Sequence, residues 1–513
     1  MLQAQQPRWL LILILMLIKI LLPYLLQDPT FELQRDEFLY YQQGQHLAWG
    51  YMENPPLIAW LARLSAALGG TEFWIKWWTV FFGALTVMVT CLIAAAMGGR
   101  WWAQLLAGMG IIAGAYLRVH FLFQPNFLDF FCCTLALYFL IRLVQTGKDR
   151  YCYALVAALV LGWYSKYSVL FIAVAIVAGI LCTPQRKRLL QIKTVVALLA
   201  ALLLVAPNVW WQYSHNWPLL HHMQELQDTQ LKFMKPGDFL KDQLLMNLSI
   251  AVLWLAGLVY IIVHKAYRYL ALVYVLVLLL LILGRGKSYY ALGVYPMLVA
   301  AGAVAWQQLS GKRQWLMGLV AAVVVFFVWV VLPMSLPIWP PQKLAAFYKE
   351  KNMEAYGLLK WEDQQNHALP QDFADMLGWK EMAAKTYRVY NQLPDTIKAQ
   401  TVIYARHYGQ AGSLQLYNTD TAFVKRVISD NGSFLLWIPP SLRFKHLLFV
   451  GHRMPGADDE VFQHFETVAV MDSITNTLSR QYGDRIIFFK NIDAAGLQMA
   501  TDGLKQMKKE FGE

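Results

Sequence analysis

Trp9–Leu26 reads WLLILILMLIKILLPYLL, and a short polar step later Arg35–Leu57 reads RDEFLYYQQGQHLAWGYMENPPL. A bilayer core about 30 Å thick is crossed by about 20 apolar helical residues, so the first run predicts a transmembrane span. Pro23, Tyr24 and Gln27 stand where a secretory leader would carry small residues for cleavage, so the span is read as retained. The second stretch is of another kind. It sets three carboxylates, Asp36, Glu37 and Glu53, among Tyr40, Tyr41, Trp49 and Tyr51. From Asp36 to Gly50 the spacing fits a helix with Phe38, Tyr41, Leu47 and Ala48 on its apolar face. Asn54-Pro55-Pro56 breaks it, because a residue before proline avoids the helical region. A second helix, Leu57 to Leu68, stops at Gly69-Gly70. Two short helices lying in the membrane interface suit this pattern.

Beyond this loop the apolar runs continue to Leu332 and then cease. The 513 residues are 58% hydrophobic and 15% charged, with a mean hydropathy of +0.39. Soluble domains lie nearer 45–50% and about 25%. The candidate spans are 9–26, 76–97, 101–120, 127–144, 151–165, 168–182, 192–211, 243–263, 269–284, 289–308 and 315–333, about eleven by length. Lys166 interrupts the 151–182 region. With a cytoplasmic N-terminus, every inward loop is basic: Arg100; Lys148 and Arg150; Arg186, Lys187, Arg188 and Lys193; Lys265 and Arg268; Lys312 and Arg313. Loops 27–75 and 212–242 and everything after 334 then face outward. The expected fold is a polytopic α-helical membrane domain, 1–334, followed by an exported α/β domain, 335–513. In the latter, helix-like segments (Lys343 to Lys351, Phe373 to Leu393) alternate with strand-like ones: Thr401 to Ala405, Phe434 to Ile438, Leu447 to Val450, Glu466 to Val470 and Ile486 to Lys490.

The formal charge of +12 lies largely in the short inward loops, so it signals topology and argues against nucleic acid as a partner. All five cysteines, Cys91, Cys132, Cys133, Cys152 and Cys182, fall in the membrane part and read as small buried hydrophobes. No zinc spacing, phosphate-binding loop or nucleophile-elbow motif occurs. A divalent metal is compatible with the residue spacing and not required by it.

Ionisable residues beside spans are costly and each invites a functional reading. Asp36, Glu37, Glu53, Arg118, His120, Asp129, Lys166, Arg285 and Lys287 all map to the outer membrane boundary. Cations from different helices suit a phosphate, with arginine binding in a bidentate fork and lysine as a point charge. A carboxylate on an interfacial helix suits a hydroxyl proton. Together they fit a phosphate-linked lipid whose tail lies in the bilayer and whose head group projects outward. Bland readings stand beside these: Arg118, Arg285 and Lys287 as snorkelling cations, Asp129 as a first-turn acid after Pro125-Asn126, and Asp36 and Glu37 as first-turn acids.

The same residues resemble a known family. Asp36-Glu37-x-x-Tyr40, Gly50-Tyr51-x-x-x-Pro55-Pro56-Leu57, Pro125-x-x-x-Asp129, Ser165-Lys166-Tyr167 and Gly286-Lys287-x-Tyr289-Tyr290 with Tyr295-Pro296 occur in that order. In the soluble part, 370–379 and Tyr408-Gly409-Gln410-Ala411-Gly412 look like recurring features of the same chains. The sequence resembles bacterial members of glycosyltransferase family 39 and the related lipid A aminoarabinose transferases, which have the GT-C fold. The resemblance implies transfer from a polyprenyl-phosphate sugar (undecaprenyl phosphate in bacteria) on the periplasmic side of the inner membrane. It implies Asp36 as the catalytic carboxylate with Glu37 beside it. Lys166, Arg285, Lys287 and Arg118 become candidates for the donor phosphate, and Tyr40, Glu53, Asn54, His120, Asp129, Tyr167 and Tyr290 for substrate contacts. Asn54 stands where the aminoarabinose transferases carry a lysine in Glu-Lys-Pro, which favours a different sugar or acceptor. The resemblance implies a glycolipid or cell-envelope glycan, such as lipopolysaccharide, as the acceptor. A protein O-mannosyltransferase, a lipid flippase or transporter, and a scaffold with a membrane anchor remain as alternatives.

Overall fold

The computed structural model describes residues 3–512 except 113, 230, 234 and 453–459. Among them, seven helices are long and apolar enough to cross a membrane, and two bent helix pairs raise this to nine. Two further apolar segments on the sequence list, Trp101–Ile112 and Asp149–Ser165, form helices of 12 and 17 residues. Glu72–Ala96 and Asn126–Thr146 are each 72% buried over their apolar windows and Ser288–Ser310 is 89% buried, so these three form the centre. Trp9–Leu26, Ile192–Ser214 and Trp315–Ser335 are 22%, 11% and 17% buried, leaving their leucines and valines to lipid. At the centre, helices Ala251–Val263 and Tyr295–Ser310 cross at Gly257 and Gly302. A Cβ on Gly302 would lie 1.8 Å from the Leu253 carbonyl oxygen, so only glycine permits this approach.

We label the helices that carry the site α1 (Trp9–Leu26), α2 (Arg35–Gln43), α3 (Leu57–Ala67), α4 (Glu72–Ala96), α5 (Trp101–Ile112), α6 (Ala115–Val119), α7 (Asn126–Thr146), α8 (Asp149–Ser165) and α9 (Val169–Leu181). The expected span 101–120 is broken between α5 and α6; residue 113 lies outside the described residues, and Gly114 has φ +63°. The freed carbonyls find a partner in Lys19, at the eleventh of the 18 residues of α1. Its Nζ donates to the carbonyls of Ile111 (3.0 Å), Ile112 (3.3 Å) and Tyr116 (2.9 Å). Lys19 corrects the expectation that ionisable groups keep to the outer boundary, for it is fully buried within a span.

α2 ends at Gln43 rather than at Gly50. Residues 44–56 instead wrap around Tyr51, whose hydroxyl accepts from the Ala48 amide and donates to the carbonyls of Gln43 and His46. The soluble part holds a five-stranded sheet in the order β2-β1-β3-β5-β4. Its strands are β1 (Thr401–Ala405), β2 (Val427–Ile428), β3 (His446–Gly451), β4 (Phe465–Ser473) and β5 (Arg485–Ile492). β1 runs parallel to β2 and β3, and β5 pairs antiparallel with β3 and β4. Phe434–Trp437 is a helical turn, not a strand; a short apolar run does not distinguish the two by periodicity. The expected helix Phe373 to Leu393 is split at Gly378 (φ +87°) into Gln371–Ala374 and Trp379–Gln392.

One apolar cluster spans both parts of the chain. Phe38 and Leu39 of α2, Ile58 and Leu61 of α3, and Phe123 and Phe127 pack with Trp379, Met382, Ala411, Leu414 and Phe434 of the soluble part. α2 and α3 are therefore a floor on which the C-terminal sheet domain is seated.

Candidate active site

α2 begins with a reciprocal cap. The Gln34 side chain accepts from the Asp36 amide (2.8 Å), and Glu37 accepts from the Gln34 amide (2.6 Å). This cap fixes the two acids in different environments. Glu37 is fully buried and takes four hydrogen bonds: two from Lys76 Nζ (2.9 and 3.0 Å), one from the Phe123 amide (2.6 Å) and one from Gln34. All its acceptor capacity holds α2, α4 and the turn before α7 together. Glu37, expected beside Asp36 in the catalytic role, is thus occupied in packing these elements.

Asp36 keeps part of its carboxylate exposed. Oδ1 accepts from Arg35 Nε (3.1 Å) and from the Tyr408 hydroxyl (2.7 Å), and Oδ2 accepts from Gln124 Nε2 (3.2 Å). Burial pushes its pKa up, but the charge of Arg35 and the hydrogen bonds from Tyr408 and Arg35 outweigh it and hold the group below the usual carboxylate range. Asp36 is therefore ionised at neutral pH.

Across from it, Lys166 leaves the end of α8 with extended backbone. Its Nζ donates to Asn126 Oδ1 (2.6 Å) and lies 3.7 Å from the centroid of Tyr290 and 5.5 Å from that of Tyr289. Asp129 is buried beneath and accepts from Ser168 (3.1 Å). Lys287 acts electrostatically on Lys166 and also on Glu362 of the soluble domain. Tyr40 and Tyr289 lie within electrostatic reach of Asp36. The carboxylate and the lysines thus line one surface, with tyrosines between. Below Tyr290, Phe171, Ile172, Val277 and Leu281 wall a small apolar crevice with Asp129 and Ser168 at its rim.

The other expected residues have other occupations. Arg118 pairs with Asp372 (3.3 Å) and covers the ring of Phe373 (4.6 Å), tying α6 to the soluble domain instead of facing a phosphate. His120 is fully buried beside Tyr116, with no hydrogen-bond partner on either ring nitrogen among the described residues. Glu53 accepts from the amide (2.7 Å) and hydroxyl (2.6 Å) of Ser433, and Asn54 makes a reciprocal amide pair with Gln43 (3.0 Å each way). Both hold the loop to its neighbours. Tyr167 bonds Asn208 and Gln212 (3.1 and 3.2 Å). Arg285 is exposed, with left-handed backbone (φ +51°). Among the described residues, no three His, Cys, Asp or Glu side chains converge on a point that could hold a metal.

Sequence reasoning missed Arg35, Gln124, Lys76 and Asn126 as the lysine's acceptor, and it named Tyr408 in a motif without its contact to Asp36. It also missed a charge lattice at the domain boundary. Arg35 faces Glu362 (3.6 Å) and Asp375 (4.0 Å), and Arg480 bonds the same two acids (3.0 and 3.1 Å). Arg35 and Gln124 adjoin residues that were singled out. The lattice joins residues more than 300 positions apart and had no local signal.

Fold and site together define a polytopic membrane protein of the GT-C type, similar to glycosyltransferase family 39. Residues 53–211 match the family described as dolichyl-phosphate-mannose-protein mannosyltransferase. A lipid A galacturonosyltransferase, RgtD of Rhizobium johnstonii, is 25% identical over 198 residues, which is 37% of this chain and 41% of that relative. The fold matches ArnT of Cupriavidus metallidurans, solved bound to undecaprenyl phosphate, with a TM-score of 0.60 and 14% identity over 94% of this chain and 97% of that one. It also matches an Archaeoglobus fulgidus oligosaccharyltransferase, with a TM-score of 0.52 and 11% identity over 86% of this chain and 68% of that one.

Proposed function

We propose that the protein is a membrane glycosyltransferase that moves a hexose or pentose from a polyprenyl-phosphate donor to a glycolipid or cell-envelope glycan. The observation that carries this reading is the shared surface: one ionised carboxylate, a row of tyrosines, and lysines beside an apolar crevice. Lys166 and Lys287, with Arg285 at the rim, hold the donor phosphate. Tyr40, Tyr289 and Tyr290 offer faces and hydroxyls to the sugar. Asp36 orients the acceptor hydroxyl and takes its proton as the acceptor attacks C1 from the side opposite the phosphate, which inverts the anomeric centre. The lysines stabilise the charge that grows on the leaving phosphate. Asp129 and Asn126 hold Lys166 toward it.

The reading is supported by the resemblance to RgtD, whose name specifies lipid A, and to ArnT, solved with undecaprenyl phosphate. The basic loops support a cytoplasmic N-terminus, with the site at the outer face of the inner membrane. A transporter would call on charges at mid-membrane, but Lys19 caps a helix break there. Mass spectrometry of membrane glycolipids from cells with and without the protein tests the proposal. The expected result is one glycolipid species heavier by a single sugar when the protein is present. Identical lipid profiles would refute it.

A further inference from the structure

Tyr408 reaches the site from a distance of 372 residues in sequence. It opens the helix Tyr408–Leu416, which lies directly on α2. A Cβ on Gly412 would sit 2.7 Å from Phe38 Cβ, and one on Gly409 would sit 2.8 Å from Arg35 Cγ. Only glycine at these two positions lets the helix come this near. The preceding residue fixes its start: His407 Nδ1 accepts from the Gly409 amide (3.0 Å), and Gln410 reaches back to the His407 amide (3.0 Å). The Tyr408 hydroxyl is therefore held by a rigid element and not by a loose loop.

That hydroxyl donates to Asp36 Oδ1 at 2.7 Å, the length of a charge-assisted bond. Burial, and after it the negative charge of Asp36, raise the Tyr408 pKa well above the ordinary tyrosine value, so the phenol keeps its proton. The arrangement is a hydroxyl donating to the catalytic carboxylate from the soluble side. An acceptor hydroxyl has to make the same contact to be activated.

Building on the glycosyltransferase reading, we propose that Tyr408 occupies the acceptor's place on Asp36 and yields it only to the acceptor, so that donor is kept from water until then. In transfer, the acceptor oxygen bonds to C1, the C1–O bond to phosphate breaks, and the acceptor's proton passes to Asp36. Polyprenyl phosphate leaves with the bonding electrons. Water in the acceptor's place would run the same steps and release free sugar. Tyr408 fills Oδ1 and Gln124 meets Oδ2, so water finds both Asp36 oxygens already engaged. This makes the soluble domain a determinant of transfer over hydrolysis.

The test uses the full-length protein in detergent, with the polyprenyl-phosphate-sugar fraction extracted from bacterial membranes as donor and the glycolipid fraction as acceptor. Tyr408→Phe keeps the ring and removes the hydroxyl. The expected result is acceptor-independent sugar release at least about tenfold faster than wild type, from loss of one hydrogen bond to a charged group, together with a lower KM for acceptor. Release and transfer falling in parallel would overturn the inference and leave Tyr408 a structural contact. A sugar-modified Tyr408 peptide would also overturn it, since the hydroxyl would then be a nucleophile. Thermal unfolding of the variant within a degree of wild type separates these outcomes from misfolding, and Tyr408→Leu, lacking the hydroxyl in another shape, gives the same release if Phe does not fold. A wild type that consumes donor while Tyr408→Phe matches it in every rate refutes the inference alone. A wild type that consumes none refutes the glycosyltransferase reading as well.

Discussion

Removing the Lys76 ammonium separates the roles of the two adjacent acids. Lys76→Met keeps most of the side-chain volume but leaves the Glu37 carboxylate with two backbone donors and no counter-charge. The pair is almost completely enclosed, with side-chain exposures of 5% and 0%. Removing one partner of such a pair costs about 3–5 kcal/mol, because a buried charge is left uncompensated. Unfolding entropy of roughly 2.1 cal/mol/K per residue makes that a fall of about 3–5 °C in the midpoint of a chain of this length. The assay is thermal unfolding in detergent, run alongside Glu37→Gln and the double variant. The double variant should recover most of the loss, since a neutral amide needs no counter-charge. Lys76→Met unfolding at the wild-type temperature would refute this reasoning. Glu37→Gln at wild-type stability but without transfer activity would return Glu37 to the catalytic role.

Lys166→Ala should weaken binding of undecaprenyl phosphate about 10–100-fold, the worth of a charged hydrogen bond; fluorescence competition measures it, and unchanged affinity would count against the phosphate site. Burial pushes Asp375 up to about 6 despite Arg35 and Arg480. A raised carboxyl pKa favours the protonated folded form, so its stabilisation is full below about pH 4 and is lost as pH rises through about 6. Asp375→Asn should remove that slope, read as the difference in unfolding temperature between variant and wild type at pH 4.5 and pH 7. A wild type no more pH-dependent than the variant would contradict it.

Seven of the eleven expected spans were legible because each is a long apolar run between polar breaks, and β1 was legible to the residue. What could not be read depends on tertiary contacts. The end of α2 at Gln43 is set by Tyr51 folding back on it, and Phe434–Trp437 is a helical turn beside the Ser433 that anchors Glu53. Lys19 stands alone among apolar residues in Trp9–Leu26; its meaning needs the helix break at Gly114, which lies 95 residues away in sequence. For the site, residue type and order brought out Asp36, Lys166, Lys287 and the tyrosines, which ring and electrostatic contacts link. They did not separate Asp36 from Glu37, because one is half-open and the other enclosed only once Lys76 and Phe123 are in place. Arg118, Glu53 and Asn54 were drawn into the site by their chemistry, whereas packing uses them to hold the soluble domain and the loop.

In the proposed function Asp36 serves the acceptor while the lysines serve the donor. Transfer by purified Asp36→Asn, measured beside its binding of undecaprenyl phosphate, tests both halves at once. Transfer should fall by at least about 10²-fold, the usual contribution of a positioned base, with lipid phosphate binding within a few-fold of wild type. Full transfer by a correctly folded Asp36→Asn would contradict it.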